Sequence, residues 1–300
     1  MWMEVVVACS VSLAEGIAAE LVLEVSAASG GVQIRKNQVV FWVQPEDMAA
    51  TLSEVENCLT KLAALGWETG PEKVSAGSEA PEEEWRDAWK KYFHVTRLTR
   101  QIVVVPSWEE YEAMAVDLPI HLDPGQAFGT GAHASTQLVL TSMQAMADSG
   151  YVPETVFDLG TGSGILAIAA AKFWPQCTIV ATDIDPLSIS ATLENAANNK
   201  VQDQIEVSTT DLSEVEGQFP LILANLQAHI LRGLVHDLLP RLAQGGDLLL
   251  SGILHAQIQP LVDFFCSEGT LEVVSITNSE LNPDWSSAHL RDCSQQQDSK

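Results

Sequence analysis

Basic side chains are scarce in this sequence: 15 Lys and Arg stand against 40 Asp and Glu over 300 residues, a formal charge of −25. A surface of that sign repels phosphate backbones and anionic lipid, so neither direct nucleic-acid binding nor membrane association is expected. The deficit is uneven. Residues 101–300 carry 25 acidic and 6 basic side chains, net −19, whereas residues 1–100 carry 15 and 9, net −6. Two readings stay open, steering of a Lys/Arg-rich protein partner and solubility through self-repulsion. Paired cysteines are missing too: Cys9, Cys58, Cys177, Cys266 and Cys293 form no C-x-x-C and no even framework. That predicts a reduced intracellular protein without structural zinc. No basic leader precedes "MEVVVAC", so a signal peptide is not expected and the chain is assigned to the cytoplasm. Long apolar runs are absent as well. The richest, Gly164–Trp174, contains Lys172 and is too short to span a bilayer. Core material is plentiful, with 46% hydrophobic and 18% charged residues, so a sizeable core is expected.

Residues 1–75 read as a small α/β unit. "MEVVVAC" suits a strand, "SLAEGIAAELVLEVSA" a helix, and "GVQIRKNQVVFWV" two strands turning at Lys36-Asn37. Met48, Leu52, Val55, Leu59 and Leu62 recur on one helical face that ends at Gly66. With a last strand near Trp67–Val74, the order β-α-β-β-α-β predicts a ferredoxin-like sandwich. Residues 76–100 are expected to be a linker with a connecting helix. "GPEKVSAGSEAPEEE" has linker composition, and "EWRDAWKKYF" places aromatics at helical spacing for docking on a core.

Residues 101–300 alternate strands and helices. Strands are expected at Thr155–Leu159, Thr178–Asp183, Ile205–Val207, Leu221–Ala224, Asp247–Ser251 and Leu271–Ile276, with helices between most of them. This is the pattern of a doubly wound, mostly parallel sheet, whose binding crevice lies at the carboxyl ends of its strands. The tail "RDCSQQQDSK" is polar and expected to fray.

The triplet GTG occurs twice, 31 residues apart, at Gly129 and at Gly160. The second, in "VFDLGTGSGIL", joins an apolar strand to a helix start through Gly160, Gly162 and Gly164. A dinucleotide fingerprint would need glycine at 165, where Ile165 stands. Asp158 just before the glycines suits a cationic ligand better than a pyrophosphate. Asp183 ends the next strand, 23 residues on, where a carboxylate accepts both hydroxyls of an adenosine ribose. Asp185 before Pro186 suits a helix cap. Together these features point to S-adenosylmethionine, with another nucleotide ligand as the alternative. Asn225 ends the fourth strand beside the same crevice, where it serves equally well as a turn residue or as a partner for an amine or the cofactor. In "DPGQAFGTGAHAST", Ser135 or Thr136 could cap a helix, Phe128 could cover a cofactor face, and His133 lacks the companions of a metal site.

These segments, with "DIDPLSISATLENAANN", "ILANLQAHIL" and "LLLSGILHAQ", resemble the PrmA family, methyltransferases of ribosomal protein L-eleven, over roughly residues 85–285. The resemblance implies a class I S-adenosylmethionine-dependent methyltransferase domain behind a ferredoxin-like domain that holds the substrate. It implies transfer of methyl groups to lysine and N-terminal amines of that basic ribosomal protein, the alternative being another basic protein or a small amine. Cofactor positions carry over onto Thr136, Gly160, Asp183 and Asn225, and Phe128 and Gly129 match a loop lying over the cofactor; Gly162 and Asp158 join them as cofactor candidates from the reading of the glycine turn. The chain departs from the family pattern at "AHAS", at Thr161 and at "ANLQAH". The two GTG triplets are then the lid and the floor of one pocket. Asn225 is expected to orient the amine, with His133 as a candidate proton acceptor.

Overall fold

The computed structural model describes residues 2–25, 27–28, 32–45, 47–70, 73–80, 94–123 and 133–294. The expected connecting helix at "EWRDAWKKYF" and the loop residues Phe128 and Gly129 lie outside them. The chain divides into two compact units at His94/Val95.

In the first unit, β1 (Trp2–Ala8), α1 (Ala14–Glu24), β2 (Gln33–Arg35), β3 (Gln38–Val43), α2 (Met48–Ala64) and β4 (Val74–Ala80) follow one another. Their antiparallel sheet has the order β2-β3-β1-β4, the ferredoxin-like arrangement. Alternation explains which face is covered: Val5 and Val7 of β1 and Val39, Phe41 and Val43 of β3 meet Ile17, Leu21, Val55, Leu59 and Leu62 of the helices. Lys36 adopts φ +48° at the β2–β3 turn, where the sequence placed it. The last strand differs from expectation. It runs over Val74–Ala80, inside the segment whose Gly, Ser and Glu content predicted a linker, because pairing with β1 overrides its weak strand propensity.

The second unit is built on seven strands: β8 (Thr155–Leu159), β9 (Thr178–Thr182), β10 (Ile205–Ser208), β11 (Phe219–Asn225), β12 (Leu242–Leu254), β13 (Leu271–Asn278) and β14 (Trp285–Asp292). Their order is β10-β9-β8-β11-β12-β14-β13, parallel from β10 to β12, with β14 antiparallel to both neighbours. Helix α3 (Ala134–Asp148) precedes β8, and helices α4 (Ile165–Phe173), α5 (Pro186–Asn198), α6 (Ala228–Leu238) and α7 (His255–Glu268) lie between successive strands. Central strands covered on both faces read as unbroken apolar runs, and Leu221–Ala224 is fully buried. Helix α4 is apolar all round for the same reason: every residue from Ile165 to Ala171 is buried.

Two parts escaped the sequence reading. A three-stranded sheet, β5 (Thr96–Arg97), β6 (Ile102–Val105) and β7 (Leu118–His121), precedes α3. Strand β14, "WSSAHLRD", reaches into the segment expected to fray. Its polar side chains are paired where they leave water: Ser286, buried, donates through Oγ to Asn278 Oδ1 at 2.8 Å, and the buried Asp247 accepts from His289 Nε2 at 2.7 Å and from Arg291 Nε at 2.9 Å, the Arg291 side chain staying 42% exposed.

Candidate functional site

The strand order reverses between β8 and β11, so their carboxyl ends open the crevice where doubly wound sheets bind ligands. Every described residue expected at the site collects along this rim.

The floor is the turn from β8 to α4. Gly160 has φ +73°, and a Cβ there would stand 2.6 Å from Leu226 Cδ2; Gly164, at φ +81°, would meet Thr192 Cγ2 at 2.8 Å. Only glycine combines that backbone with so little room. The Gly160 and Thr161 N–H groups both donate to Thr182 O, at 2.8 and 3.0 Å, which fastens the turn to the end of β9. Asp183 continues this link. Its Oδ2 accepts from Gly162 N at 2.9 Å and its Oδ1 from Asp185 N at 3.0 Å. Asp185 Oδ1 in turn accepts from Leu187 N at 2.9 Å, capping α5 as expected. A carboxylate oxygen offers more than one lone-pair site, so Asp183 keeps acceptor capacity for a diol.

Asp158, expected beside the cofactor, is anchored through one oxygen, while its buried Oδ1 accepts no hydrogen bond from the described residues. It is 1% exposed, and Oδ2 accepts from Thr161 Oγ1 at 2.7 Å and from Ala167 N at 3.2 Å. Its carboxyl therefore faces the strand-to-helix junction and shapes the turn from beneath. Burial pushes its pKa up to about 7, with the nearby Asp183 charge adding to the rise and the two hydrogen bonds opposing it.

Asn225 and Thr136 meet across the sheet. Asn225 Nδ2 donates to Thr136 Oγ1 at 3.2 Å, joining the end of β11 to the first turn of α3. Ser251 Oγ, buried on β12, donates to Ser135 O at 2.9 Å and holds the same turn. Asn225 Oδ1 is buried and accepts no hydrogen bond from the described residues. Such an acceptor marks a position that a ligand's N–H can complete. Leu226, the next residue, packs over Gly160, so the amide and the glycine floor adjoin.

His133 is a cap, where Ser135 or Thr136 was expected to be one. Its Nδ1 accepts from Ser135 N at 3.2 Å, and its ring meets Trp285 edge-on with centroids 4.6 Å apart. The same nitrogen lies 2.7 Å from Ser135 Oγ, a contact in which either atom can donate according to the ring's tautomer.

Ile184 was missed by sequence reasoning. It is 90% exposed between Asp183 and Asp185, an apolar side chain standing beside the carboxylate suited to a ribose. The signal was available in "TDIDP": an isoleucine at a loop position reserved for polar residues.

The donor set fits S-adenosylmethionine: a cradle that tolerates no Cβ at Gly160, a diol acceptor at Asp183, and an unfilled amide acceptor at Asn225. Among the described residues, no helix is long and apolar enough to cross a membrane.

Comparison with known proteins agrees with this geometry. A family model described as ribosomal protein L11 methyltransferase (PrmA) matches residues 1–292. The ribosomal protein L11 methyltransferase of Lactobacillus delbrueckii subsp. bulgaricus is 40% identical over 231 residues, 76% of this chain and 70% of the relative. That of Geobacter metallireducens is 41% identical over 218 residues, covering 70% and 71%. A solved ribosomal protein L11 methylase from the Lactobacillus superposes with a TM-score of 0.59 at 36% identity, over 67% of this chain and 100% of that one. Matched along nearly its whole length, the chain belongs to the ribosomal protein L11 methyltransferase (PrmA) family of S-adenosylmethionine-dependent methyltransferases.

Proposed function

We propose that this chain methylates ribosomal protein L11 in the cytoplasm, at lysine side chains and the N-terminal amine. The observation that carries the reading is Asn225: tethered through Nδ2 to Thr136, it leaves a buried carbonyl oxygen without a described partner at the crevice. An amine entering there donates one hydrogen to Oδ1, which fixes the direction of its lone pair. When bound, S-adenosylmethionine supplies an electrophilic methyl group on a sulfonium. Gly160 and Gly162 would hold it closely from below, Asp183 would accept its ribose hydroxyls, and Thr136 would line its other side. Phe128 and Gly129 are assigned to its cover from the sequence alone.

The nitrogen must be neutral to attack, and a free lysine titrates near ~10.4. Burial of the ammonium lowers that value, so the proton leaves to water as the acceptor enters. Water is taken as the proton acceptor, and His133 is assigned to the helix cap. Rate acceleration is then chiefly orientation, to which held reactants contribute several kcal/mol, on the order of 7–11 at most. The ferredoxin-like unit of residues 1–75, extended by β4, is assigned to holding the protein acceptor. Its basic character suits a chain of charge −25.

The test is incubation of purified chain with L11 and isotope-labelled methyl donor, followed by mass spectrometry of the acceptor. Label is expected on lysine and on the α-amine with wild type, and its loss with Asn225→Ala. No incorporation by the wild type overturns the reading.

A further inference from the structure

A helix lying on a sheet ordinarily turns an apolar stripe inward. Helix α5 does not. Its buried residues are Ser188, Thr192, Asn195 and Ala196, and Asn199, the next residue in the row, is 7% exposed just past its end. Positions 188, 192, 195 and 199 fall on one helical face. A buried polar row is costly unless every group is paired, so its partners tell what it is for.

Ser188 Oγ donates to Asp185 Oδ2 at 3.5 Å, while the two central residues reach backbone carbonyls of the cofactor turn. Thr192 Oγ1 donates to Gly162 O at 3.0 Å, and Asn195 Nδ2 donates to Ser163 O at 2.9 Å. Because Asp183 accepts from Gly162 N, both backbone groups of Gly162 are held by side chains of this segment. The methyl of Thr192 also closes the space over Gly164. Asn199 extends the row to β7: its Nδ2 donates to His121 O at 2.7 Å, and its Oδ1 accepts from His121 N at 2.9 Å. A carbonyl of a three-glycine turn has little steric restraint of its own, so these hydrogen bonds set the peptide planes.

We propose that Thr192 and Asn195 are positioning residues for cofactor binding, fixing the Gly162 and Ser163 peptide planes, with Asn199 anchoring the same helix face to β7. The proposal rests on the cofactor reading above. None of the three needs to touch the ligand; they act through the turn.

The test compares Thr192→Val, which keeps shape and loses the donor, with Thr192→Ser, which keeps the donor and loses the methyl. Asn195→Ala is the third variant. Calorimetry with S-adenosylmethionine and with S-adenosylhomocysteine gives Kd; steady-state kinetics give KM for cofactor and for protein acceptor separately. Thr192→Val and Asn195→Ala are each expected to raise the cofactor Kd about tenfold, leaving the acceptor KM unchanged, while Thr192→Ser stays within about twofold. Partial unfolding lowers the calorimetric stoichiometry and not the affinity, so a merely structural role would leave Kd at the wild-type value. Thr192→Ala replaces Thr192→Val should the latter not fold. Wild-type Kd in the donor-less variants overturns the proposal alone; no binding by the wild type overturns the cofactor reading and this with it.

Discussion

Asp158→Asn should make the protein more stable, and increasingly so as pH rises. The Asp158 carboxyl is buried beneath the glycine turn, and its pKa is pushed from an ordinary 3.8 to about 7. The folded state therefore keeps a proton that the unfolded chain releases near pH 4. Where the native state binds more protons, stability falls with rising pH, so the loss runs from about pH 4 to about 7 and is complete above it. The shift of about three units sets a ceiling of roughly 4 kcal/mol, at 1.36 kcal/mol per unit. Asparagine has the shape of the neutral acid: its carbonyl can accept from Thr161 Oγ1 and Ala167 N, and it never ionises. Of the window, 1.5 units lie between pH 5.5 and 7, so the variant's advantage should grow by roughly 2 kcal/mol over that range. For a unit of this size that is roughly 4–8 °C in Tm. Thermal melts of both proteins at pH 5.5, 6.5, 7.5 and 8.5 stay clear of the isoelectric point near 4.4. A gap that stays constant across this series, or narrows with pH, would refute the assignment of a neutral Asp158.

Three further outcomes follow from the same geometry. Asn225→Ala should lower kcat by about 100-fold, and with Thr136→Val it should show a coupling of about 0.5–1.5 kcal/mol in a double-mutant cycle of cofactor binding; strict additivity would mean the 3.2 Å contact carries nothing. Gly164→Ala should cost about 2–4 kcal/mol from its φ of +81° and its collision with Thr192, against about 1–2 kcal/mol for Gly245→Ala, where φ is +70° and no atom stands within 4 Å. Denaturant midpoints rank the two, and equal losses would count against the packing argument. His133→Ala should cost about 1 kcal/mol through the lost cap, with His133→Asn restoring it and preserving the pH profile of kcat. A collapse of kcat in His133→Asn would return the residue to the chemistry.

The sheet was legible wherever burial on both faces leaves an apolar run, as in Leu221–Ala224. Glycine spacing and Asp183 were legible because turn geometry admits few residue types. Strand β14 was not: Ser286, His289 and Arg291 read as surface until Asn278 and Asp247 are known to lie opposite. The His133 cap was hidden because histidine is not among the usual capping residues, and its partner is backbone. The tie of Asp158 to Thr161 and Ala167 was not legible, because a sequence shows that a carboxylate is near a turn and not which way it faces. The polar face of α5 was visible as Ser188, Thr192 and Asn195, yet its meaning depends on which carbonyls lie opposite.

The cluster of Asp247, His289 and Arg291 has a practical consequence for anyone redesigning this enzyme. It sits four residues up β12 from Ser251, which puts it about 13 Å toward the opposite end of the sheet from Asn225. Sites that far apart with no shared partner contribute additively. Substitutions that raise robustness at one pole of the sheet can therefore be combined with substitutions around Asn225 at the other, chosen in separate rounds.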